Sequence, residues 1–118
     1  MHPVPPRLDS VEVAIANGTA LSAAINLGGR VLVGMLMSSA WTAAGVTFQA
    51  SIDGVTFADL FTIDGDELLA TVAASQFIVL NPANFSGIAF LKVRSGTTGT
   101  PVNQAAARTL VLAIRAID

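Results

Sequence analysis

The chain contains no cysteine and no tyrosine, and its only histidine is His2. Without cysteine, the sequence excludes disulfide scaffolds, thiol nucleophiles and zinc sites built from cysteine and histidine. With a single histidine at position 2, a histidine-based catalytic triad inside the fold is excluded as well. Most enzyme mechanisms depend on these residue types, so the sequence predicts a protein that is not an enzyme and that carries no cofactor or metal.

Charged residues are also scarce. They make up 12% of the 118 residues, while apolar residues make up 53%. An average soluble domain has about 25% charged residues. The length fits one domain, since single domains most often have roughly 100 to 150 residues, and so apolar a composition excludes intrinsic disorder. The composition therefore raises the question of how the chain stays in solution.

Membrane insertion would be one answer to that question. The segments 31–52 and 68–91 contain no charge, and about 20 apolar residues span a bilayer. Both segments are interrupted by polar residues at turns and at alternate positions, which is typical of β-strands. The N-terminal residues also lack the basic stretch and apolar run of a secretory signal. The sequence therefore predicts neither a membrane partner nor export.

The first nine residues differ from the rest of the chain. Three of the five prolines, Pro3, Pro5 and Pro6, lie in this segment. Their fixed φ angles and missing N–H groups favour an extended arm over a strand or helix. We predict an arm over residues 1–9 and a single domain over residues 10–118. Such an arm adds little to its own core, so we expect it to reach a neighbouring molecule, where burial offsets the cost of ordering it.

Short β-rich runs follow the arm. The clearest is 46–52, where apolar and polar residues alternate without exception. The run 31–38 is continuously apolar, as expected of a strand buried on both faces, and Gly34 within it indicates a bulge or a close backbone approach. Asn17-Gly18 predicts a hairpin between the run 11–16 and a second strand that ends at Gly28-Gly29.

Further runs cover 56–63, 67–72, 77–80, 88–95 and 109–117. They bring the total to about nine strands, with turns at the spacing of roughly 8 to 12 residues that is typical of sandwiches and barrels. Only 72–75 and 103–108 look helical. The pattern predicts an all-β fold, an antiparallel β-sandwich that is jelly-roll-like and carries the extended proline-rich N-terminal arm.

Acidic residues cluster between positions 53 and 67, a segment without a base: Asp53, Asp59, Asp64, Asp66 and Glu67. The last three offer oxygen ligands of the kind that Ca²⁺ prefers, but their spacing does not match an EF-hand loop. Aspartate before glycine is favoured in hairpin turns for conformational reasons alone. We therefore predict turns here. A pair of glycosidase carboxylates is disfavoured, because no sugar-stacking aromatic residues surround them.

Four of the six basic residues lie in the C-terminal third: Lys92, Arg94, Arg108 and Arg115. A net charge of −2 argues against nucleic acid as a partner, since phosphate binding needs a basic surface. Alternation in 88–95 places Phe90, Lys92 and Arg94 on one face, as in a partly exposed interface strand. An electrostatic contact between the acidic turns of one subunit and this basic strand of another is an alternative to solvated faces.

Trp41 is the only tryptophan. A sugar-binding platform would need aromatic companions around it, so we predict that Trp41 belongs to the core or anchors a loop.

Several segments together carry a resemblance to known proteins. The first part, 27–67, includes Leu-Gly-Gly-Arg-Val-Leu-Val-Gly-Met, then Ala40-Trp-Thr-Ala, then Ser51-x-Asp53-Gly54-x-x-Phe57, and ends in Ile-Asp-Gly-Asp-Glu67. The second part includes Lys92-Val-Arg-Ser-Gly-Thr, Pro101-Val-Asn-Gln and Arg108-Thr-Leu. The whole string resembles small β-sandwich proteins encoded among the structural genes of tailed bacteriophages.

This resemblance implies a virion component made in the host bacterial cytoplasm, and it brings no catalytic residues. We expect a capsid decoration or cement protein that forms a homo-oligomer and binds the major capsid protein or another virion protein. Analogy with decoration proteins favours a trimer over a dimer. The alternatives are a head-fibre or tail-associated subunit, and a carbohydrate-binding or host-recognition module.

Two apolar runs locate the expected interface. The runs 31–37 and 110–117 are apolar on both faces, yet a two-layer sandwich buries only one face of each strand. We expect a neighbouring subunit or the capsid shell to cover the other face. The candidate interface residues come from three segments: the arm, the apolar run 31–37, and the strand 88–95, which we call the mixed strand because one of its faces carries both apolar and basic residues. They are Pro3, Pro5, Pro6, Arg7, Val31, Val33, Met35, Met37, Phe90, Lys92 and Arg94.

Overall fold

A computed structural model describes residues 8–116, and these form eight strands and one 3-10 turn. The strands are β1 Leu8–Ile15, β2 Ile25–Asn26, β3 Arg30–Leu36, β4 Val46–Ser51, β5 Ala58–Asp59, β6 Phe77–Val79, β7 Phe90–Ser95 and β8 Arg108–Ala116, and the 3-10 turn is Pro82–Asn84. They form two four-stranded sheets, sheet A in the order β1-β8-β3-β6 and sheet B in the order β2-β7-β4-β5. All pairings between these strands are antiparallel, so the prediction of an all-β, antiparallel fold is confirmed.

Both sheets contribute to one hydrophobic core. In sheet A, Val13 pairs with Leu110, and both are buried. In sheet B, Phe48 pairs with Val93, and neither is exposed. The Phe48 ring meets Phe85 edge to face, with centroids 5.2 Å apart. Each buried large apolar side chain contributes about 1.5–3 kcal/mol, so the alternating apolar rows of the two sheets hold the domain together.

Gly34 has both properties that were predicted for it. The register of β3 on β8 shifts between Leu32 and Gly34, which is a β-bulge. A Cβ added at Gly34 would lie 2.7 Å from the ring of Phe77 on the neighbouring strand. The bulge keeps Leu32 before it and Met35 after it in the core, both fully buried.

The predicted hairpin at Asn17-Gly18 is wrong, although the turn exists. Gly18 has a φ of +73°, and the Thr19 amide donates to the Ala16 carbonyl at 3.1 Å. However, β1 pairs with β8, and the chain after the turn passes to sheet B, where the Ser22 amide donates to the Val93 carbonyl at 2.9 Å. A turn signal is local, whereas the apolar face of β1 is matched by the long, distant strand β8.

Other predicted elements are shorter than expected or have a different structure. The run 56–63 contains only the two-residue strand β5, and 67–72 contains only isolated bridges, so residues 8–116 hold eight strands instead of nine. The segment 103–108 is not a helix. Instead, the buried Gln104 side chain donates to the Thr42 carbonyl at 3.1 Å and to the Ser95 hydroxyl at 2.7 Å. In the part of the chain that is described, no helix is long and apolar enough to cross a bilayer.

Two residues that the sequence assigned to the arm, Leu8 and Asp9, lie in a strand. β1 begins at Leu8, so Leu8 and Asp9 belong to sheet A. The predicted arm residues Pro3, Pro5, Pro6 and Arg7 lie outside the described residues.

Candidate functional site

The two sheets have different outer faces, and the outer face of sheet B carries the predicted mixed strand. In the register of β7 on β4, Arg94 pairs with Thr47 and Lys92 with Gln49. Their neighbours Leu91 and Val93 are fully buried, so the alternation that places Phe90, Lys92 and Arg94 together on the opposite face is confirmed.

Arg94 is the centre of an ionic cluster on this face. Only 7% of its side chain is exposed, and its guanidinium pairs with Asp59 and, at 3.2 Å, with Glu67. The Thr98 hydroxyl donates to the second Asp59 oxygen at 2.8 Å. Hydrogen bonds from Arg94, and then from Thr98, hold the pKa of Asp59 below its usual value. The acidic segment therefore contacts the basic strand within one chain, where the sequence suggested a contact between subunits.

The remaining residues of the mixed strand are also covered by their own chain. The Lys92 ammonium lies 4.5 Å from the centroid of the Phe57 ring, which is a cation–π contact. A Cβ added at Gly54 would lie 3.0 Å from the Phe90 ring, so the turn passes closely over this strand. Phe90, Lys92 and Arg94, which the sequence assigned to an interface, are thus engaged by residues 54–67 of the same molecule.

The acidic residues that precede glycine form turns, as predicted. Gly54 and Gly65 have φ angles of +79° and +91°. Backbone N–H groups of Thr56 and Val55 donate to the Asp53 carboxylate and lower its pKa. Among residues 8–116, no group of three or more histidines and acidic residues is placed to hold a metal ion. Glu67, one of the candidate Ca²⁺ ligands, accepts a hydrogen bond from the Arg94 guanidinium and another from the Thr98 backbone N–H.

Most of the predicted interface residues of β3 and its C-terminal end lie inside the chain. Val31, Met35 and Met37 are buried, with 7%, 0% and 3% of their surface exposed, and Val33 is half-buried. In the sequence these four residues belong to a run that was predicted to be apolar on both faces. The bulge before Gly34 shifts the alternation of β3, so Val31 lies in an outer row beside Arg115, while Met35 faces the core and Leu36 faces outward.

The outer face of sheet A is apolar and open. The strand registers arrange its residues in three rows across the sheet: Glu12, Val111, Leu36 and Phe77; Ser10, Ala113, Gly34 and Val79; Leu8, Arg115 and Val31. We call this surface the sheet A face. Its exposed fractions reach 57% at Leu8, 58% at Phe77 and 83% at Val79.

An open groove of about 390 Å³ crosses the sheet A face, lined by Leu8, Asp9, Ser10, Leu36, Phe77, Val111 and Ala113. Large apolar side chains that lie together on a surface mark sites of interaction. The sequence located this region through the apolar run 110–117 but did not identify Leu36, Phe77 or Val79. The signal for the last two was the short apolar run 77–80.

The C-terminal basic residues do not form one surface. Arg115 lies on the sheet A face, while Lys92 and Arg94 lie on the outer face of sheet B. Arg108 donates to the Gln104 side chain at 3.4 Å. This distribution gives no continuous basic stripe of the kind that tracks a phosphate backbone.

Trp41 is a core residue, as predicted. It is 7% exposed, and its indole nitrogen donates to the Ala44 carbonyl at 3.0 Å. Its ring therefore offers no platform for stacking a sugar.

No protein-family model matches this chain, and comparison with curated proteins gives no match.

Proposed function

We propose that this protein is a non-enzymatic structural protein of a bacteriophage particle, a capsid decoration or cement protein that oligomerises and binds the capsid shell. The observation that carries the proposal is the sheet A face. It is a regular, apolar surface with exposed Leu8, Leu36, Phe77 and Val79, and it suits contact with another protein better than contact with water. The resemblance to structural proteins of tailed bacteriophages is the reason for proposing a phage particle as the place of this contact.

We further infer that the fold is a jelly-roll sandwich. The supporting observation is the strand order: β1 pairs with β8, β2 with β7, β3 with β6 and β4 with β5. This is the order of a long antiparallel ribbon wrapped into two sheets. Eight-stranded jelly rolls occur in viral capsid proteins and in lectins, so the strand order supports a virion protein.

The charged side chains of sheet B support a binding role over a catalytic one. Arg94 pairs with both Asp59 and Glu67 in a largely buried cluster. Such a cluster fixes the chain over the sheet and leaves no unpaired, buried titratable group at its centre. The proline-rich arm is a second proposed contact, through residues 1–9, with a neighbouring subunit or the shell.

Co-sedimentation with capsid shells tests the proposed function. The full chain is expressed with the major capsid protein encoded on the same genome, and shells are isolated on a density gradient. We expect the chain to sediment with the shells at a fixed ratio. A chain that stays at the top of the gradient, and that is missing from purified phage particles, would overturn the proposal. Presence in particles but on tails alone would replace the decoration role with a tail-associated one.

A carbohydrate-binding or host-recognition module is the second candidate, because lectins share the jelly-roll order and because Phe77 stands exposed beside the groove. A glycan array with the wild-type chain and Phe77→Ala tests it. Binding of a defined glycan that is lost in Phe77→Ala would support this candidate, and absence of binding across the array would reject it.

A further inference from the structure

We propose that two copies of this chain pack through their sheet A faces, related by a two-fold axis that runs across the strands, so that Glu12 of each copy lies within reach of Arg115 of the other. This inference rests on the proposed function, because it names the surface through which the protein oligomerises. The occupant of the sheet A face is then a second copy of the same chain.

The rows of the sheet A face suit packing against a second sheet. On β1, β8 and β3 the middle row contains the small residues Ser10, Ala113 and Gly34, and only on β6 does it carry a larger one, Val79. Packed sheets lie about 10 Å apart with interdigitating side chains. On the proposed axis the small residues of one copy face those of the other, so the two backbones can approach each other closely there.

The charges on this face are placed symmetrically about the middle row. Glu12 lies in one outer row, and Arg115, which pairs with Leu8, lies in the other. Both residues are exposed. They are separated by four residues along the strands, which is about 13 Å. The nearby charges Asp9 and Arg30 pair with each other at 2.7 Å, so they do not compete for either group.

A two-fold axis across the strands turns this placement into complementarity. It exchanges the two outer rows and keeps β1 over β1, so Glu12 of one copy faces Leu8 of the other and lies one strand, about 5 Å, from Arg115 on β8. The long arginine side chain spans that offset, and each contact occurs twice. An axis along the strands would instead place Glu12 opposite the partner's Phe77 and leave both charges desolvated without a partner. The charge pattern therefore selects one packing, and that packing closes as a dimer. The trimer expected from the resemblance does not use it.

A charge swap tests the pairing. The association constant of the full chain is measured by sedimentation equilibrium for wild type, Glu12→Arg, Arg115→Glu and the double variant. We expect each single variant to weaken association roughly tenfold or more, since like charges then meet at two places, and the double variant to return within about threefold of wild type. Asp64→Arg, the same charge change on an exposed turn of sheet B, is the control and should leave association unchanged.

Folding of each variant is checked by circular dichroism, so loss of association is read only from folded protein. Equal association of Glu12→Arg and wild type, or a folded double variant as weak as the single ones, would overturn the proposal.

Cross-linking gives an independent test, because the chain has no cysteine. The middle row lies on the proposed axis, so Ser10 of one copy faces Ser10 of the other. We expect Ser10→Cys to give a covalent dimer with a short bismaleimide. Ile63→Cys, at a fully exposed position of sheet B, should not. Equal cross-linking at both positions would overturn the proposed geometry.

Shell binding of the same proteins separates this inference from the proposed function. A wild-type chain that is monomeric at all concentrations, yet loses shell binding in Val79→Lys, would show that the shell covers the sheet A face. That result overturns the dimer and keeps the decoration role. A wild-type dimer that obeys the charge swap but is missing from shells and particles keeps the dimer and removes the decoration role.

Discussion

The two outer faces of this protein meet water in different ways. The outer face of sheet B is polar and lies beneath its own chain, where residues 54–67 contact the strand through Phe57, Asp59 and Glu67. The outer face of sheet A has no such cover among residues 8–116, and its apolar side chains stand exposed. Residues 54–67 thus lie over sheet B, whereas the sheet A face presents its strand residues directly to another molecule.

This difference explains how a chain with 12% charged residues uses them. Three of its fourteen charged side chains, Arg94, Asp59 and Glu67, lie together in a single ionic cluster within the chain. Such a cluster specifies where the covering segment lies more than it adds net stability, because burying charges costs desolvation. Exposed large apolar side chains lie on the strands of the sheet A face, at Leu8, Leu36, Phe77 and Val79, and also in the connecting segment 52–69, at Ile52, Val55, Phe61, Ile63 and Leu69.

Of the substitutions that compare the two faces, the one that breaks the ionic cluster has the largest expected effect on the free energy of unfolding. Arg94→Ala leaves Asp59 and Glu67 without their partner, and we expect it to lower the free energy of unfolding by about 3 kcal/mol. Arg115→Ala, the same change on the sheet A face, should cost less than about 0.5 kcal/mol in the monomer. Urea denaturation at low protein concentration measures both. If Arg94→Ala lowered the free energy of unfolding as little as Arg115→Ala, the ionic cluster that holds residues 54–67 over sheet B would not stabilise the fold.

Two phenylalanines sharpen the comparison further. Phe57→Ala removes the ring over Lys92, and we expect a loss of about 1–2 kcal/mol from the cation–π contact and the apolar burial together. Phe77→Ala removes a ring that is 58% exposed, and it should change the unfolding free energy of the monomer by less than about 0.5 kcal/mol. The same denaturation series detects the difference. If Phe77→Ala lowered the free energy of unfolding more than Phe57→Ala does, the Phe77 ring would be stabilising the monomer and would not be available to a partner.

Local patterns in the sequence predicted the strands but not their partners. The alternation in 46–52 identified β4, because a period of two is a property of neighbouring residues. The predicted run also included Ile52, yet β4 ends at Ser51 and Ile52 is 81% exposed in the turn. The pairing of β1 with β8 could not be predicted in this way, since it joins the two ends of the chain.

The candidate site shows the same limit. Alternation placed Lys92 and Arg94 on one face correctly, but nothing local indicates that Asp59 and Glu67 of the same chain reach that face. Gly34 was recognised as a bulge, yet the resulting shift, which buries Met35 and exposes Leu36, follows only from the register with β8. The sequence therefore predicted that the runs 31–37 and 110–117 contribute to the apolar face, but it did not predict which residues form that face.

The dependence of stability on pH should come in part from the ionic cluster on the outer face of sheet B. The pKa of Asp59 is lowered in the folded protein by Arg94 and Thr98, so below the unfolded value of about 3.9 the unfolded chain binds more protons at this site. The contribution of Asp59 is therefore fully present above that value, and it is lost as the pH falls through the lower, folded pKa. We expect Asp59→Asn to be less stable than wild type at pH 6 and to lose less stability between pH 5 and pH 2. Ser10→Ala, on the sheet A face, should retain the wild-type pH dependence. Urea denaturation across this range measures the slopes, and a slope in Asp59→Asn equal to that of wild type would show that the ionic cluster does not couple the fold to protonation.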